Sequence, residues 1–537
     1  MSLPALDFRR ASPTTDAVAT RRPLASYAPL LAAALAIAAG LVAVNNLPVG
    51  GFFDDAFYVI LAKSLATGHG YRNLNLPGAP LATHYPPGYP LFLAALWRLW
   101  PTFPANVMLF KFANVAFLGV IAAYAYRLGR ERMGLGLGAA LVATVAGTAT
   151  TPALYLSSMV LSEPMFLALT LPLLLWAERT IARDKRDVVS ALSLGAYAGL
   201  LFLIRAQAVA AIAAIAIVYA LRRRWKESGV TLSAAIVVAL PWLLWVAAHD
   251  GTVPTLMRGD YGSYFGWFMD GIHQRGPGMI IEAMRRNLPE MLEHLSRRLR
   301  PPSNPLPNAA TSLCALLLGA VGAARLVRRA PVTLGFLVAY LGVVAVWPFP
   351  PARFLLGIWI LLMLVLACGG QVLWQASLPM ARWRGERSRL TLRLLGGAAS
   401  LVLVTGTIAY NVRGYQRRWW ATTEEQSARW VVPKVAWDRA NIDTSSVIAT
   451  DHDEGSVYLY SGRRSIPVTT FTAAEYFSPR DSSADAVVLR TLVTHFQPDY
   501  VMLSGARLRG AAAAVSTTGE PLGVAARGGA AWVFRLR

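Results

Sequence analysis

The sequence is short of what soluble proteins use to meet water. Only 15% of its 537 residues are charged, and acids are the scarcer sign, with 29 Asp and Glu against 51 Lys and Arg. Its two cysteines do not indicate a disulfide framework; Cys314 and Cys368 both lie inside apolar runs, where they read as small packing residues. No internal repeat is visible, so an inverted-repeat transporter fold has no support. What is abundant is apolar sequence, 55% of the chain, arranged in stretches of membrane-spanning length between residues 27 and 410. A soluble enzyme of this length would instead divide into domains with charged surfaces. Soluble, disordered and collagen-like classes are all excluded. The expected fold is a polytopic α-helical membrane protein.

The net charge of +22 reports topology, not nucleic-acid binding. The short segments between apolar runs hold 23 basic residues, among them Arg127, Arg130, Arg222, Arg223 and Arg224, against eight acids. Basic residues gathered in short loops mark the cytoplasmic side. Apolar runs and basic loops together predict eleven spans, near 27–46, 105–126, 135–154, 163–177, 188–204, 206–221, 229–248, 309–327, 332–348, 353–373 and 392–410. The segment 1–26 is then cytoplasmic, with the first helix retained instead of cleaved as a signal. Two loops, 47–104 and 249–308, and a tail, 411–537, are expected on the exterior. In the tail, 446–450, 457–461, 500–504 and 531–535 read as strands, and 424–441 and 485–496 as helices, giving a small α/β domain.

The first exterior loop opens Gly51-Phe52-Phe53-Asp54-Asp55-Ala56-Phe57-Tyr58. Adjacent carboxylates at a membrane boundary are costly unless solvated, capping or used. One of them suits the start of a short helix running to about residue 66, with Tyr58 one turn on and facing the same way as Asp54. His84-Tyr85-Pro86-Pro87-Gly88 follows as a rigid turn, and His84 is a candidate metal ligand or hydrogen-bond donor to a phosphate. Leu161-Ser162-Glu163-Pro164 is a good helix start that also puts Glu163 on the side of Asp54. Arg205 and Arg353 sit at the exterior ends of apolar runs, where a guanidinium either snorkels to headgroups or holds a phosphate. Asp451-His452-Asp453-Glu454 has metal-ligand residue types but falls at a strand end, where polar loops are usual.

The ordered set Asp54-Asp55-x-x-Tyr58, the Tyr-Pro-Pro-Gly-Tyr cluster, Ser-Glu-Pro, and Arg-Phe after a proline-rich turn resembles the GT-C glycosyltransferases. Within them it is similar to the aminoarabinose transferase and protein O-mannosyltransferase branch, over about the first 370 residues. Parts of the tail, 447–451 and 458–463, also resemble soluble tails of such enzymes. The resemblance implies an inverting transfer of sugar from a polyprenyl-phosphate donor to an acceptor hydroxyl on a lipid, a polysaccharide or a protein. It maps the catalytic acid to Asp54 and the acid of the second exterior turn to Glu163; Asp55 stands where the family often has Glu. Asp55 and Glu163 are then expected to orient the acceptor or a divalent metal ion, Arg205, Arg353 and His84 to hold the donor phosphate, and Tyr58 and Tyr85 to line the site. Two other classes fit some of these features: a flippase for a lipid-linked sugar, which needs the arginines but no base, and a non-catalytic envelope-assembly subunit.

Overall fold

The computed structural model describes residues 22–183, 186–253, 257–301, 308–375, 386–451, 453–503, 520–524 and 532–536. The N-terminal segment 1–21, the basic residues Arg382 and Arg384, and His452 lie outside them.

Each of the eleven expected spans coincides with helix. Among the described residues, six helices are long and apolar enough to cross a membrane: those within Ser26–Ala43, Val107–Met133, Glu163–Ala182, Trp225–Thr252, Ala309–Arg329 and Glu386–Gln416. A seventh span arises if Leu137–Thr148 and Thr151–Ser157, bent by 51°, count together. The remaining four, Val188–Phe202, Ala206–Leu221, Pro331–Val346 and Trp359–Trp374, are apolar but shorter. Lipid gives helices no hydrophobic reason to associate, so small residues must let backbones meet. At Gly322 and Gly369 any side chain would run into the facing helix, since a Cβ would fall 2.1 Å from the Val365 carbonyl oxygen and 1.9 Å from that of Leu318.

Both long loops contain helices. The first contains Asp54–Ala66 and Gly88–Leu99, and the second Tyr264–Arg275 and Gly278–Arg298. In the C-terminal region, strands β1 (Val447–Thr450), β2 (Arg464–Pro467), β3 (Tyr500–Leu503), β4 (Glu520–Val524) and β5 (Trp532–Arg535) form one sheet in the order β2-β1-β3-β5-β4. β1 pairs in parallel with β2 and β3, and β5 pairs antiparallel with β3 and β4. The parallel pairs need crossovers, which the helices Glu454–Ser461 and Ser482–Phe496 supply.

One expectation is overturned here. The stretch 457–461, Val-Tyr-Leu-Tyr-Ser, has β-prone residues but is the end of the helix Glu454–Ser461, closed by Gly462 at φ 81°. A left-handed glycine is a helix stop, and the sheet leaves no neighbour for a strand there. Strand β2 follows directly, and neither it nor β4 was foreseen.

The sheet region is bolted to the first loop and the membrane helices. Val49 N–H donates to the Tyr460 hydroxyl (3.0 Å), the Ser456 hydroxyl to the Val49 carbonyl (3.0 Å), and Ser465 N–H to the Asn75 carbonyl (2.8 Å). Below them Lys111, from the helix Val107–Leu128, meets Glu424 at 2.7 Å, and the Asn45 amide donates to the other oxygen of that carboxylate at 2.8 Å.

Candidate active site

At the end of the helix bundle where both long loops lie, a cavity of about 640 Å³ opens. Its walls are mainly aromatic and aliphatic, and Asp54, His84, Arg205, Asp260 and Arg353 are its ionisable lining.

Asp54 is the first residue of the helix Asp54–Ala66, and the preceding Phe53 is held at φ 64°. A bulky residue in the left-handed region is strained, by about 1–3 kcal/mol, and such strain gathers at functional sites. The turn is fixed by Asp55. Its buried carboxylate accepts the N–H groups of Gly50 (2.7 Å) and Phe52 (3.1 Å), while burial raises its pKa above the ordinary range. Asp55 is therefore turned away from the cavity: it shapes the loop that presents Asp54, and the expected acceptor- or metal-orienting role does not fit its position.

Asp54 faces the cavity with both oxygens engaged once, Oδ1 by the Tyr85 hydroxyl (2.9 Å) and Oδ2 by Arg353 Nη1 (2.6 Å). A carboxylate has about four acceptor positions, so room remains for a substrate hydroxyl. Tyr85 is held where the next turn crosses the end of the helix Val188–Phe202. Gly88 N–H donates to the Leu203 carbonyl at 2.7 Å, and a Cβ at Gly88 would clash with that same oxygen. The Pro-Pro-Gly sequence thus brings Tyr85 and Arg205 to one wall.

Arg353 is the centre of the network. Its Nε meets Glu163 at 2.5 Å, its Nη1 meets Asp54, its plane stacks on Phe52 with Cζ 4.5 Å from the ring centre, and its Nη2 is buried without a hydrogen-bond partner. Arg205 pairs with Glu163 at 3.0 Å and donates to the Ser162 hydroxyl at 2.7 Å. Two acids and two arginines thus compensate one another, so each guanidinium is already partly used. Ser162 does not cap its helix; its hydroxyl sits between Arg205 and the Tyr58 hydroxyl (2.9 Å). Tyr58 is buried behind this layer and does not line the cavity, contrary to expectation.

His84 lines the cavity but is not the phosphate donor expected. Its Nδ1 lies 2.6 Å from the Gly262 carbonyl, which can only accept, so the ring proton is on Nδ1. Burial holds the imidazole below its usual pKa. A neutral ring with Nδ1 protonated presents Nε2 as an acceptor, suited to a hydroxyl and not to a phosphate oxygen. Its ring packs 4.5 Å from those of Tyr85 and Tyr264.

No group of three or more His, Cys, Asp or Glu side chains among the described residues is placed to hold a metal ion. Asp54 and Glu163 are bridged by Arg353, so a dication between them would first have to displace a guanidinium; the residues present do not fit one. In the tail, Asp451 and Asp453 both bond Lys434, a buried cation that takes the place a metal would need.

Several cavity residues were not foreseen: Asp260, Tyr264 and Trp267 from the second long loop, Trp347 and Phe349 before Arg353, and Phe471 from the tail. The aromatic density of 261–268 was a visible sign, but nothing local connects Phe471 to a site more than 400 residues earlier. Burial raises the Asp260 carboxyl to about 7.

No protein-family model and no curated protein matches the chain. Solved structures do. ArnT from Cupriavidus metallidurans bound to undecaprenyl phosphate superposes with a TM-score of 0.51 at 12% identity, covering 95% of this chain and 98% of that one. Its apo state gives 0.52 at 12% identity, covering 96% and 98%. Over nearly its whole length, therefore, the chain has the fold of ArnT, an aminoarabinose transferase of the GT-C class.

Proposed function

We propose that this protein is an inverting glycosyltransferase that moves a sugar from a polyprenyl-phosphate donor to an acceptor hydroxyl at the exterior face of the membrane. In this reading all eleven apolar segments cross, the N-terminus is cytoplasmic, and the C-terminal region is exterior, as the basic loops require. The membrane is a bacterial inner or plasma membrane. The observation that carries the reading is Arg353, bonded to Asp54 at the wall of a cavity lined mainly by apolar and aromatic groups. The binding of undecaprenyl phosphate by a protein of the same fold supports the donor class.

The chemistry is a single displacement. The acceptor hydroxyl gives its proton to Asp54 while its oxygen bonds to the anomeric carbon. The bond from that carbon to the phosphate oxygen breaks on the opposite side, inverting the centre, and polyprenyl monophosphate leaves with the electron pair. The charge that develops on the phosphate is met by the guanidinium groups of Arg353 and Arg205. Tyr85 and Arg353 hold the Asp54 carboxylate in place, and Glu163 holds both arginines. Arg353 couples the two ends of the reaction, since it touches base and leaving group together.

The test is transfer of labelled sugar from synthetic polyprenyl-phosphate donors to a membrane extract. Wild type transfers; Asp54→Asn is expected to lose about 10²–10⁴-fold in rate while still binding the lipid. Full activity in a folded Asp54→Asn protein overturns the assignment of the base. No transfer by wild type from any donor overturns the enzyme and favours a flippase.

A further inference from the structure

The reaction just described uses Asp54, Arg205 and Arg353 but leaves one cavity carboxyl without a task. Asp260 lies in the short helix Arg258–Tyr261 of the second long loop. Asp250 is well used, accepting from Ser263 N–H (2.7 Å), the Ser263 hydroxyl (2.9 Å) and the Thr83 hydroxyl (3.2 Å). It is a structural residue. Asp260 meets only Phe471 N–H among the described residues, at 3.3 and 3.4 Å from its two oxygens. Most of its acceptor capacity is unused, and it faces the cavity.

Its wall is built jointly by loop and tail. Trp267 Nε1 donates to the Phe471 carbonyl at 3.2 Å, Phe349 meets the Phe471 ring edge-on at 5.6 Å, and Gly259 lies so close to Phe471 that a Cβ there would fall 2.1 Å from its carbonyl oxygen. The tail residue is thus fixed as part of the cavity. Other lining residues differ in kind: Phe202, Val209, Val343 and Val344 come from the ends of apolar helices, and Arg205 and Arg353 supply positive charge.

These three kinds of lining match the three parts of a polyprenyl-phosphate sugar. The isoprenoid belongs with the apolar helix ends and the phosphate with the arginines, which leaves Asp260, Trp267 and Phe471 for the sugar. A ring with an apolar face and a hydroxyl edge matches an aromatic surface flanked by a free carboxyl.

We propose that Asp260 and Phe471 form the pocket that recognises the transferred sugar, Asp260 accepting hydrogen bonds from the hydroxyl edge of its ring and Phe471 covering an apolar face. Through Phe471 the C-terminal region then contributes to donor specificity. The assignment rests on the donor class proposed above but not on the transfer step.

The test is direct binding to the full-length protein in lipid nanodiscs. The probes are bare undecaprenyl phosphate and a set of polyprenyl-phosphate hexoses differing in one hydroxyl configuration. Wild type is expected to bind at least one loaded lipid about tenfold more tightly than the bare one, the worth of one or two hydrogen bonds. Asp260→Asn should erase that preference with bare-lipid affinity unchanged, and Phe471→Leu should reduce it. In transfer assays the same variants should raise the donor KM and leave the acceptor KM alone. A preference that survives both substitutions overturns the proposal. So does an equal loss of bare-lipid binding in both variants, which would make the wall structural, or a rise confined to the acceptor KM. Should wild type discriminate among the lipids yet transfer nothing, the transferase reading fails and the sugar pocket stands.

Discussion

At the scale of single residues, Arg353 shows how one side chain serves several ends. Three nitrogens in a fixed plane let it bond Glu163 and Asp54 at once while its guanidinium lines the cavity. Lysine has one nitrogen on a flexible stem and cannot bridge both acids with the same geometry. Arg353→Lys should therefore lower kcat/KM for transfer by about 10²-fold and weaken bare-lipid affinity about tenfold, measured side by side in the two assays. Wild-type kinetics in that variant would remove Arg353 from the phosphate. Sequence reasoning placed Asp54, Glu163, Arg205 and Arg353 on one side because charges at the ends of apolar runs stand out. It could not see that they neutralise one another, because pairing depends on where four separate helices end. Nor could it see that Asp55 turns inward, since adjacent acids at a helix start look alike until the backbone turn is known.

At the scale of elements, the turn at Gly88 decides how the first loop sits on the bundle. A Cβ there would meet the Leu203 carbonyl oxygen at 2.7 Å and Ile204 Cγ1 at 2.9 Å. Gly88→Ala should destabilise the protein by about 1–3 kcal/mol, read as a lowered melting temperature, and reduce transfer because Tyr85 and Arg205 are pushed apart. An unchanged melting temperature and rate would mean that the turn does not need its close approach. The six helices long enough to cross a membrane were legible because each carries a long apolar run. The helix Gly278–Arg298 was not, because its many Arg and Glu residues and an internal Pro289 hid a one-sided apolar stripe. The segment 457–461 was misread because β-prone residues were judged without Gly462, which ends the helix they belong to.

At the scale of the whole molecule, the C-terminal region and the loops close on one another through buried acids. Burial raises Asp260, Glu424 and Asp438 to about 7 and Glu454 to about 8. Glu424 is raised despite its contact with Lys111, so burial outweighs the ion pair there. Glu454 takes its bond from the Tyr261 hydroxyl at 3.0 Å, and its second oxygen is buried without a partner. In each case the folded state holds the proton more tightly than the unfolded chain. The contribution of these four acids to stability is therefore fully present below about pH 4, where both states are protonated, and is lost as pH rises through the folded values near 7 and 8. Limited proteolysis of the C-terminal region should be several-fold faster at pH 9 than at pH 6, and Glu454→Gln should flatten that difference. A pH-independent rate in wild type would contradict it. Replacing Glu424 by Ala leaves Lys111 buried without its counter-ion and should cost about 3–5 kcal/mol, seen as a large drop in thermal stability.

The position of Phe471 also has a meaning in time. The base comes from residue 54 and the far wall from residue 471, and the two lie on the same side of the bundle because they share a cavity. A ribosome delivers the first long before the second. Until the last quarter of the chain has been made and has folded onto the first loop, the cavity has an open side, and a bound donor would face water where it should face an aromatic wall. The architecture thus ties the appearance of a complete site to the completion of synthesis, so that a truncated chain exposes a base and two arginines but not an enclosed reaction chamber.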